Sequence, residues 1–473
     1  MFKKQFKKRP GPFTLSAWLL AAALLSLTAC SGTFEVGVVH TATPGGAATL
    51  TPTSLATPKP TAGTAPPPTS APTSEPASTP TYGPFVLYVA FVKDGDVWLW
   101  ADTEHPMEEQ VAVPLTTAGG VEDVKISKDG MLVAFTRGGE LWAVNRDGTG
   151  ERPLVTAEAF AAMERREPEF RVALHRYAWV GRTHTLAFNT RLDTGYGLVL
   201  NDDLRLVNAD TVELTVLFPP GQGGEFAYSP DGSQVAIATP GDIFLADADG
   251  ANPREALSYT PVATASEFRY YPEPVWSADS SALRVAIAPP DPYVERPQTS
   301  IWALRTDGTP AHLMGSIEVA RGSQPVFSAY LSQLAYVQLP GDGRPGDQGS
   351  VVLTDLTSDE MMSDSTTYYA EARAIYGYAP DSLRFAFATN AEQPQAMLGQ
   401  LGAEAIPALG DAEGAVIDVR WIGGDRYLVL ANRSAGGWDI ILGEVGGSRT
   451  AIATVGGFPP AYDFAAPANI EGS

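Results

Sequence analysis

A short sequence phrase recurs along the chain, and each copy contains one large residue. Charged, amide and tyrosine residues lie just before that large residue. They are Arg176, Tyr177, Glu225, Tyr271, Glu273, Gln324, Arg373 and Tyr462. Aromatic rings mixed with charges of both signs around a concave opening suit the binding of a peptide or a glycan. The alternative is that these side chains are ordinary exposed rim residues without a ligand.

Two of these residues could support catalysis. Glu225 and Glu273 occupy equivalent positions of neighbouring repeats, so both could face the same opening. A carboxyl pair separated by about 5–10 Å would fit glycoside hydrolysis. We therefore consider two hypotheses: a non-catalytic binding or scaffolding module for a protein or glycan, and an enzyme acting on carbohydrate as a hydrolase or lyase. The first is preferred, because no complete catalytic constellation is recognisable.

Other chemistries find little support. Cys30 is the only cysteine, which excludes a disulfide framework and a cysteine-ligated zinc site. Asp247 to Gly250 reads DADG, but it lacks the later glutamate of a calcium loop. No G-x-S-x-G nucleophile motif is present. The histidines share no metal-ligand spacing; they are His40, His105, His175, His184 and His312. The sequence therefore predicts neither a metal site nor a cofactor.

The phrase that carries the candidate residues is a repeat. A first strand ends in a large residue followed by a turn, as in FAYSPDG and PVWSADS. The large residues, called markers here, are Ile126, Trp179, Tyr228, Trp276, Phe327, Tyr378, Trp421 and Phe464. A second alternating strand with a small residue before a large one follows each turn, then a third strand and a shorter fourth. Four short antiparallel strands per unit of about 40–50 residues indicate a β-propeller blade.

The ends of the array predict how the ring closes. The segment from Tyr88 matches a second strand, and the segment from Val97 matches a third, but no first strand precedes them. Ala461 to Phe464 matches a first strand with nothing after it but a short tail. We expect an all-β propeller over residues 85–467, with eight blades or alternatively seven, closed by the C-terminal strand joining the first blade.

Insertions interrupt the repeats. Thr156 to Glu167 is the one convincing helix, because it begins with a capping residue and ends before Pro168. Residues 261–272 and 339–350 are expected to be longer loops. The repeats that begin near Tyr177 and Phe327 are the least regular.

The turn phrases SPDG at Ser229 to Gly232 and SKDG at Ser127 to Gly130 resemble the TolB-type, WD40-like propeller repeat. The resemblance covers about residues 86–466. It implies a propeller fold. TolB resembles six blades behind an α/β domain, whereas this chain has more repeats and no such domain, so the role of TolB in the cell envelope is not carried over.

The N-terminal residues predict a lipid anchor. Residues 1–29 combine a basic start, at Lys3, Lys4, Lys7, Lys8 and Arg9, with an apolar run, and are read as a signal peptide. Leu27 to Cys30 resembles the lipobox of bacterial lipoproteins, which implies lipidation of Cys30. The alternative is an uncleaved membrane anchor. Either way, we expect the protein on the outer face of a bacterial membrane, in the periplasm or at the cell surface.

The sequence also predicts a spacer and an acidic surface. Within residues 30–84, which we expect to be disordered, Thr and Pro dominate from Thr41 onward and few apolar groups are present. Residues 468–473 form a short tail. The net charge of −22 disfavours nucleic acid as a partner. We expect a monomer that binds the membrane through its lipid and an envelope protein or glycan through its propeller.

Overall fold

The computed structural model describes residues 87–102, 111–195, 198–265, 268–319, 323–338, 349–358, 361–363, 365–391, 394–410 and 414–466. The predicted signal peptide, Cys30, the spacer and the tail 468–473 lie outside these residues. Within them, no helix has both the length and the apolar character needed to cross a bilayer. Their one helix is α1, Ala157–Ala162.

Strands account for nearly all the remaining regular structure, as the repeat predicts. The strands up to the middle of the chain are β1 (Tyr88–Lys93), β2 (Asp96–Ala101), β3 (Val113–Pro114), β4 (Val121–Ile126), β5 (Leu132–Arg137), β6 (Glu140–Asn145), β7 (Arg152–Val155), β8 (Arg171–Trp179), β9 (Thr185–Asp193), β10 (Leu198–Leu200), β11 (Leu204–Asn208), β12 (Leu214–Phe218), β13 (Glu225–Tyr228), β14 (Gln234–Ala238), β15 (Asp242–Asp247) and β16 (Arg254–Ser258).

The second half of the chain continues in the same way. Its strands are β17 (Val275–Trp276), β18 (Ala282–Ile287), β19 (Gln298–Arg305), β20 (His312–Glu318), β21 (Val326–Phe327), β22 (Gln333–Gln338), β23 (Gly349–Asp355), β24 (Thr366–Tyr378), β25 (Arg384–Thr389), β26 (Ala396–Gln400), β27 (Ile406–Pro407), β28 (Val416–Trp421), β29 (Arg426–Asn432), β30 (Trp438–Glu444), β31 (Arg449–Val455) and β32 (Tyr462–Ala465).

The described strands form seven antiparallel sheets, numbered here along the chain. Sheet 1 has the order β3-β2-β1-β32, sheet 2 is β4 to β7, sheet 4 is β13 to β16, sheet 5 is β17 to β20 and sheet 7 is β28 to β31. In sheet 1 the C-terminal strand pairs with β1, with Tyr88 opposite Ala465 and Phe91 opposite Tyr462. The first strand of this repeat therefore comes from the C-terminal end of the chain, as the sequence predicts.

Two sheets depart from four strands, and they contain the two least regular repeats. Sheet 3 comprises β8 to β12, with β10 paired to the far end of β9. Sheet 6 runs from β21 to β27 as seven strands. Its middle strand β24 has 13 residues; Thr366 to Ala372 pair with β23, whereas Ala372 to Tyr378 pair with β25. We call β21–β24 sheet 6a and β24–β27 sheet 6b, because one strand serves both.

Neighbouring sheets pack face to face through buried apolar side chains. Among the described residues there are eight such clusters, and each combines residues of two successive sheets. One of them joins Phe385 and Phe387 of sheet 6b to Val351 of sheet 6a. Another joins Leu428 of sheet 7 to Val89 of sheet 1. Alternating strands have two apolar faces, so each sheet requires neighbours on both sides for its burial.

The markers connect the sheets by a repeated hydrogen bond. The indole N–H of Trp179 donates to the carbonyl of Lys125 at 3.0 Å, and that of Trp276 donates to Ala227 at 2.9 Å. Trp421 donates to Gly377 at 3.3 Å. In each case the acceptor is the residue before the marker of the preceding repeat. A buried indole N–H needs a partner, and this one sets the distance between successive first strands.

The turn after the marker is stabilised by its serine and aspartate. The Ser229 hydroxyl donates to Asp231 at 2.5 Å and accepts from the Gln234 amide at 3.0 Å. Ser277 and Asp279 repeat this arrangement at 2.6 Å. Gly232 has a φ of +73°, a conformation that glycine adopts without a steric cost. The phrase S-x-D-G is therefore explained by turn chemistry.

The helix begins where the sequence predicts but ends earlier. Thr156 caps it by accepting the Ala159 amide at 3.2 Å. The prediction that it extends to Glu167 is wrong, since α1 ends at Ala162. The reason is Asn201, whose side chain accepts the Arg166 amide and donates to the Glu164 carbonyl. Those backbone groups bond to Asn201, between β10 and β11, instead of continuing the helix.

Candidate functional site

Five of the eight predicted opening residues line one cavity of about 360 Å³. They are Arg176, Glu225, Tyr271, Glu273 and Gln324. The cavity lies where the first strands of sheets 3 and 4 come together with the segments leading into β17 and β21. We call it the central cavity. It also contains Arg269 and Tyr270, which the sequence reasoning missed.

Glu225 is held by two basic side chains from sheet 3. Its Oε1 lies 2.6 Å from Nε2 of His175, and its Oε2 lies 3.6 Å from a guanidinium nitrogen of Arg176. Burial alone would raise the pKa of Glu225, but His175 and Arg176 outweigh it and the pKa is lowered. The carboxylate is therefore ionised at neutral pH, with only 20% of its side chain exposed.

A β-bulge explains why two consecutive residues reach the same carboxylate. Successive side chains of a regular strand point to opposite faces. The pairing of β8 with β9 shifts between Leu174 and Arg176, which leaves His175 as the extra residue. Such a bulge redirects side chains locally. Similar shifts occur between Val121 and Asp123 in β4 and between Val416 and Asp418 in β28.

Asn189 fixes this arrangement from behind. It is 1% exposed, accepts the Arg176 amide at 3.1 Å, and donates to the Gly224 carbonyl at 2.9 Å. It therefore joins the bulge of sheet 3 to the residue before Glu225 in sheet 4. The Arg176 guanidinium also lies 5.5 Å from the centre of the Phe226 ring. Arg176 and Glu225 are thus positioned in part by Asn189, which does not line the central cavity.

Tyr271 is anchored through its hydroxyl. It donates to Oδ1 of Asp202 at 2.6 Å, while Arg166 lies 2.7 Å from Oδ2 of the same carboxylate. Burial and the neighbouring Asp202 raise the pKa of Tyr271. Burial also raises the pKa of Asp202, against the opposing effect of its hydrogen bond with Tyr271 and the charge of Arg166. The phenol is held in a fixed position at the cavity wall.

Three other side chains of the cavity are open to solvent. Glu273 and Gln324 are exposed, and the side chain of Arg269 is 51% exposed while lying 3.7 Å from Asp202. Glu273 and Gln324 are free to adapt to a ligand, whereas hydrogen-bond partners hold Glu225 and Tyr271, and Arg176 is held by its ion pair with Glu225. The central cavity therefore combines a preorganised polar wall with an adaptable rim.

The other three predicted residues lie elsewhere. Tyr177 is 3% exposed and lines an adjacent cavity that shares Arg176 with the central one. Arg373 is exposed in β24, and Tyr462 is 3% exposed. Neither lines the central cavity. Tyr462 instead packs under Arg420, whose guanidinium lies 4.1 Å from the ring centre, and donates its hydroxyl to Asp418 at 3.0 Å. The expectation that all eight residues meet is therefore met only in part.

Histidines and acidic groups do not cluster as metal ligands in the part of the chain that the structure describes. The imidazole of His175 contacts the carboxylate of Glu225. The imidazole of His184 lies between Asp129 and Asp210, at 2.9 and 2.8 Å. Each of these imidazoles has carboxylate partners. His40 and His105 lie outside the described residues.

Comparison with known proteins yields similarity of structure only. No protein-family model matches the sequence, and no curated protein matches it either. An oligogalacturonate lyase in complex with manganese is 16% identical, with a TM-score of 0.43, covering 65% of this chain and 82% of its own. The β-propeller domain of a trilobed protease from Pyrococcus furiosus is 13% identical, with a TM-score of 0.42, covering 60% and 84%.

TolB from Acinetobacter baumannii is also similar, at 12% identity and a TM-score of 0.32, covering 60% of this chain and 68% of that one. Similar structures thus include TolB and other proteins of the β-propeller class. Their names span a lyase, a protease domain and TolB. Identities this low assign neither an activity nor a residue role to this chain.

Proposed function

We propose that the sheets form a closed β-propeller of eight blades. Counting sheets 6a and 6b separately turns seven sheets into eight, each with a shared apolar cluster on both sides. The cluster between sheets 7 and 1 and the pairing of β32 with β1 support closure. A seven-bladed ring would treat sheet 6 as one blade, which leaves the cluster inside it without a counterpart elsewhere.

The propeller acts as a non-catalytic binding module for a protein or glycan, and the central cavity is its ligand site. The observation that carries this proposal is the fixed triad of Arg176, Glu225 and Tyr271 beside an exposed rim. Polar groups that are already held in place lose little freedom when a ligand binds, so they favour selective recognition.

Two features favour binding over glycan cleavage. Of the two carboxyl groups in a glycosidase, the general acid needs a raised pKa, whereas His175 and Arg176 lower the pKa of Glu225 despite its burial, so Glu273 would have to be the acid. Glu273, its proposed partner, is exposed to solvent. A carboxylate committed to two basic groups is suited to holding a binding site in shape.

We further propose that the module is displayed outside the cytoplasm. The basic start and apolar run of residues 1–29, followed by Cys30, support a lipid anchor on a bacterial membrane. The Thr/Pro-rich spacer would carry a monomeric propeller away from that surface. Fully extended, its 44 residues from Thr41 to Pro84 could span on the order of 130 Å.

Capture from envelope extracts and from a glycan panel tests the binding proposal. The purified chain is compared with a Glu225→Ala, Tyr271→Ala, Glu273→Ala triple variant. We expect the triple variant to lose the captured ligand. Because Tyr271 and Glu225 are partly buried, a Glu273→Ala, Gln324→Ala variant, altered only at exposed positions, serves as the fold-neutral companion and should weaken capture.

Tyr330→Ala is the matched control, since this exposed tyrosine lies outside the central cavity. Equal capture by the triple variant would remove the central cavity as the ligand site. Turnover of a captured glycan would replace the binding module by the carbohydrate-active enzyme.

A further inference from the structure

A second cavity lies on the flank between sheets 4 and 5 and is larger than the central cavity. Its volume is about 600 Å³, and it shares no lining residue with the central cavity among the residues described. Sheet 5 contributes one face of β19, because Gln298, Ser300 and Trp302 alternate along that strand and all line the cavity. Sheet 4 contributes Ser258 and Tyr259, at and just after the end of β16. We call this the flank cavity.

The lining of the flank cavity is uncharged. No charged side chain lines it in the part of the chain that the structure describes, whereas four line the central cavity. Two carboxylates stand opposite lining residues in the ladders without lining the cavity themselves: Asp242 is opposite Ser258, and Glu318 is opposite Gln298. Glu318 is paired with Arg296 at 2.6 Å. Because a charged group that loses water needs an opposite charge, this lining favours an uncharged ligand.

Trp302 presents an aromatic ring that other side chains leave open. Trp142 occupies the equivalent position of sheet 2, and in both sheets the ladder shifts register just before the tryptophan. The guanidinium of Arg137 lies 5.2 Å from the centre of the Trp142 ring, and the Trp142 N–H donates to Glu140 at 3.1 Å. Trp302 has neither a cation over its ring nor a hydrogen bond from its N–H to any described residue. Both its ring and its N–H are therefore available to a ligand.

Four polar side chains of the flank cavity are also uncommitted. Those of Ser258, Thr260, Gln298 and Ser300 make no hydrogen bond to another described residue. Hydroxyl and amide groups both donate and accept hydrogen bonds. The flank cavity therefore fits a neutral ligand with an apolar face for the ring of Trp302 and with groups around its edge that both donate and accept.

Extended peptides meet these requirements less well. β19 pairs with β18 on one side and with β20 on the other, so its backbone offers no free edge to an added strand. A proline-rich peptide suits an aromatic wall, but prolines have no N–H, so the side-chain oxygens of Gln298 and Ser300 would lack donors. The Tyr259 hydroxyl already donates to the Thr239 carbonyl and is not available to a peptide carbonyl.

We propose that the flank cavity binds a neutral oligosaccharide. A pyranose ring carries C–H groups on its faces and hydroxyls around its edge, which is the combination that the lining fits. One face packs against Trp302, and the hydroxyls bond to Gln298, Ser300 and the free indole N–H. This inference does not rest on the function proposed for the central cavity, because the two cavities have different lining residues.

The test measures binding of soluble neutral oligosaccharides of glucose, mannose and galactose to the purified chain by isothermal titration calorimetry. The tightest binder is then compared with two derivatives of the same length, one with its C6 hydroxyls oxidised to carboxylates and one with them replaced by amines. We expect each charged derivative to bind about tenfold more weakly, a difference of about 1.4 kcal/mol, because the lining supplies no opposite charge.

Single variants locate the oligosaccharide. Trp302→Ala should weaken binding about tenfold through loss of the ring contact. Because Trp302 is half-buried, Gln298→Ala, altered at an exposed position, serves as the fold-neutral companion and should weaken binding about threefold through loss of one hydrogen bond. The matched controls are Trp142→Ala, the equivalent tryptophan of sheet 2, and Gln222→Ala, an exposed glutamine outside both cavities. Both controls should bind as the parent chain does.

Several outcomes would overturn the inference. These are equal affinity for the neutral oligosaccharide and its carboxylate form, no binding anywhere in the panel, and binding that survives both Trp302→Ala and Gln298→Ala. Tighter binding of the amine form would replace the neutral ligand by a cationic one held by Asp242. A proline-rich peptide that binds through Trp302, with no oligosaccharide bound, would replace the sugar by a peptide. None of these results bears on capture at the central cavity, which the Glu273→Ala, Gln324→Ala variant tests separately.

Discussion

Nε2 of His175 lies 2.6 Å from Oε1 of Glu225, although the two residues belong to the first strands of different sheets. The contact depends on a bulge in β8, which brings His175 and Arg176 to the same carboxylate. Asn189 supports it by joining the backbone of both sheets. The same contact therefore joins sheets 3 and 4 and holds Glu225 in the wall of the central cavity.

Replacing His175 with Ala should destabilise the protein and weaken ligand binding together. The substitution leaves Glu225 half-buried with Arg176 as its remaining partner. The expected loss is about 1–3 kcal/mol in the free energy of unfolding, measured by urea denaturation. Glu225→Gln, which keeps a hydrogen-bond acceptor, should cost less. A His175→Ala variant with unchanged stability would show that the contact contributes nothing to joining the sheets.

Trp276→Phe tests the hydrogen bond repeated between successive sheets. It keeps the aromatic ring but removes the N–H donated to Ala227, leaving that carbonyl without this donor. We expect a loss of about 1–2 kcal/mol in urea denaturation. Trp438→Phe is the control, because its N–H donates to Gly457 at the exposed surface. Equal effects of the two substitutions would contradict a special role for the marker.

Deleting residues 459–473 should damage the whole array rather than one end. The deletion removes β32, which pairs with β1, and Asp463, whose carboxylate accepts the Ile126 amide in sheet 2 at 3.0 Å. The exposed edge of β1 should then cause aggregation or a loss of cooperative unfolding. Deleting residues 468–473 alone is the control. An unchanged melting curve after the longer deletion would argue against the closed ring.

His184 should make stability depend on pH. Burial opposes its protonation, but hydrogen bonds with Asp210 and Asp129 outweigh burial and raise its pKa. Its folded pKa thus exceeds the unfolded value of about 6.5. The stabilisation is present in full below that value and is lost as the pH rises through the folded pKa. His184→Gln should therefore destabilise the protein more at pH 5.5 than at pH 9, measured by denaturation across this range; a pH-independent difference would contradict this mechanism.

Cys30→Ala should release the protein from membranes. The proposed lipid anchor requires this thiol, and the chain has no other cysteine. Fractionation of cells that produce each form measures the distribution between membrane and soluble fractions. The purified variant should keep the ligand capture of the parent chain, since the propeller is unchanged. A variant that stays with the membrane would instead support an uncleaved apolar anchor.

Local patterns in the sequence were enough to identify the four-stranded units, the markers, the start of α1 and the strand supplied by the C-terminus. These features depend on period-2 alternation, turn residues and capping, which act over a few neighbouring positions. Even the irregular repeats at Tyr177 and Phe327 correspond to the five-stranded sheet and to the sheet with a shared strand.

The membership of the site was decided by tertiary structure. The sequence treated Arg176, Tyr462 and Arg373 as equivalents, yet only Arg176 lines the central cavity. Tyr462 packs under Arg420, and the bulge that redirects His175 leaves no pattern in a single repeat. Contacts between side chains of different sheets depend on how far apart the sheets pack and on one-residue shifts in register. Those quantities arise from the packing of the whole array, so no local stretch of sequence contains them.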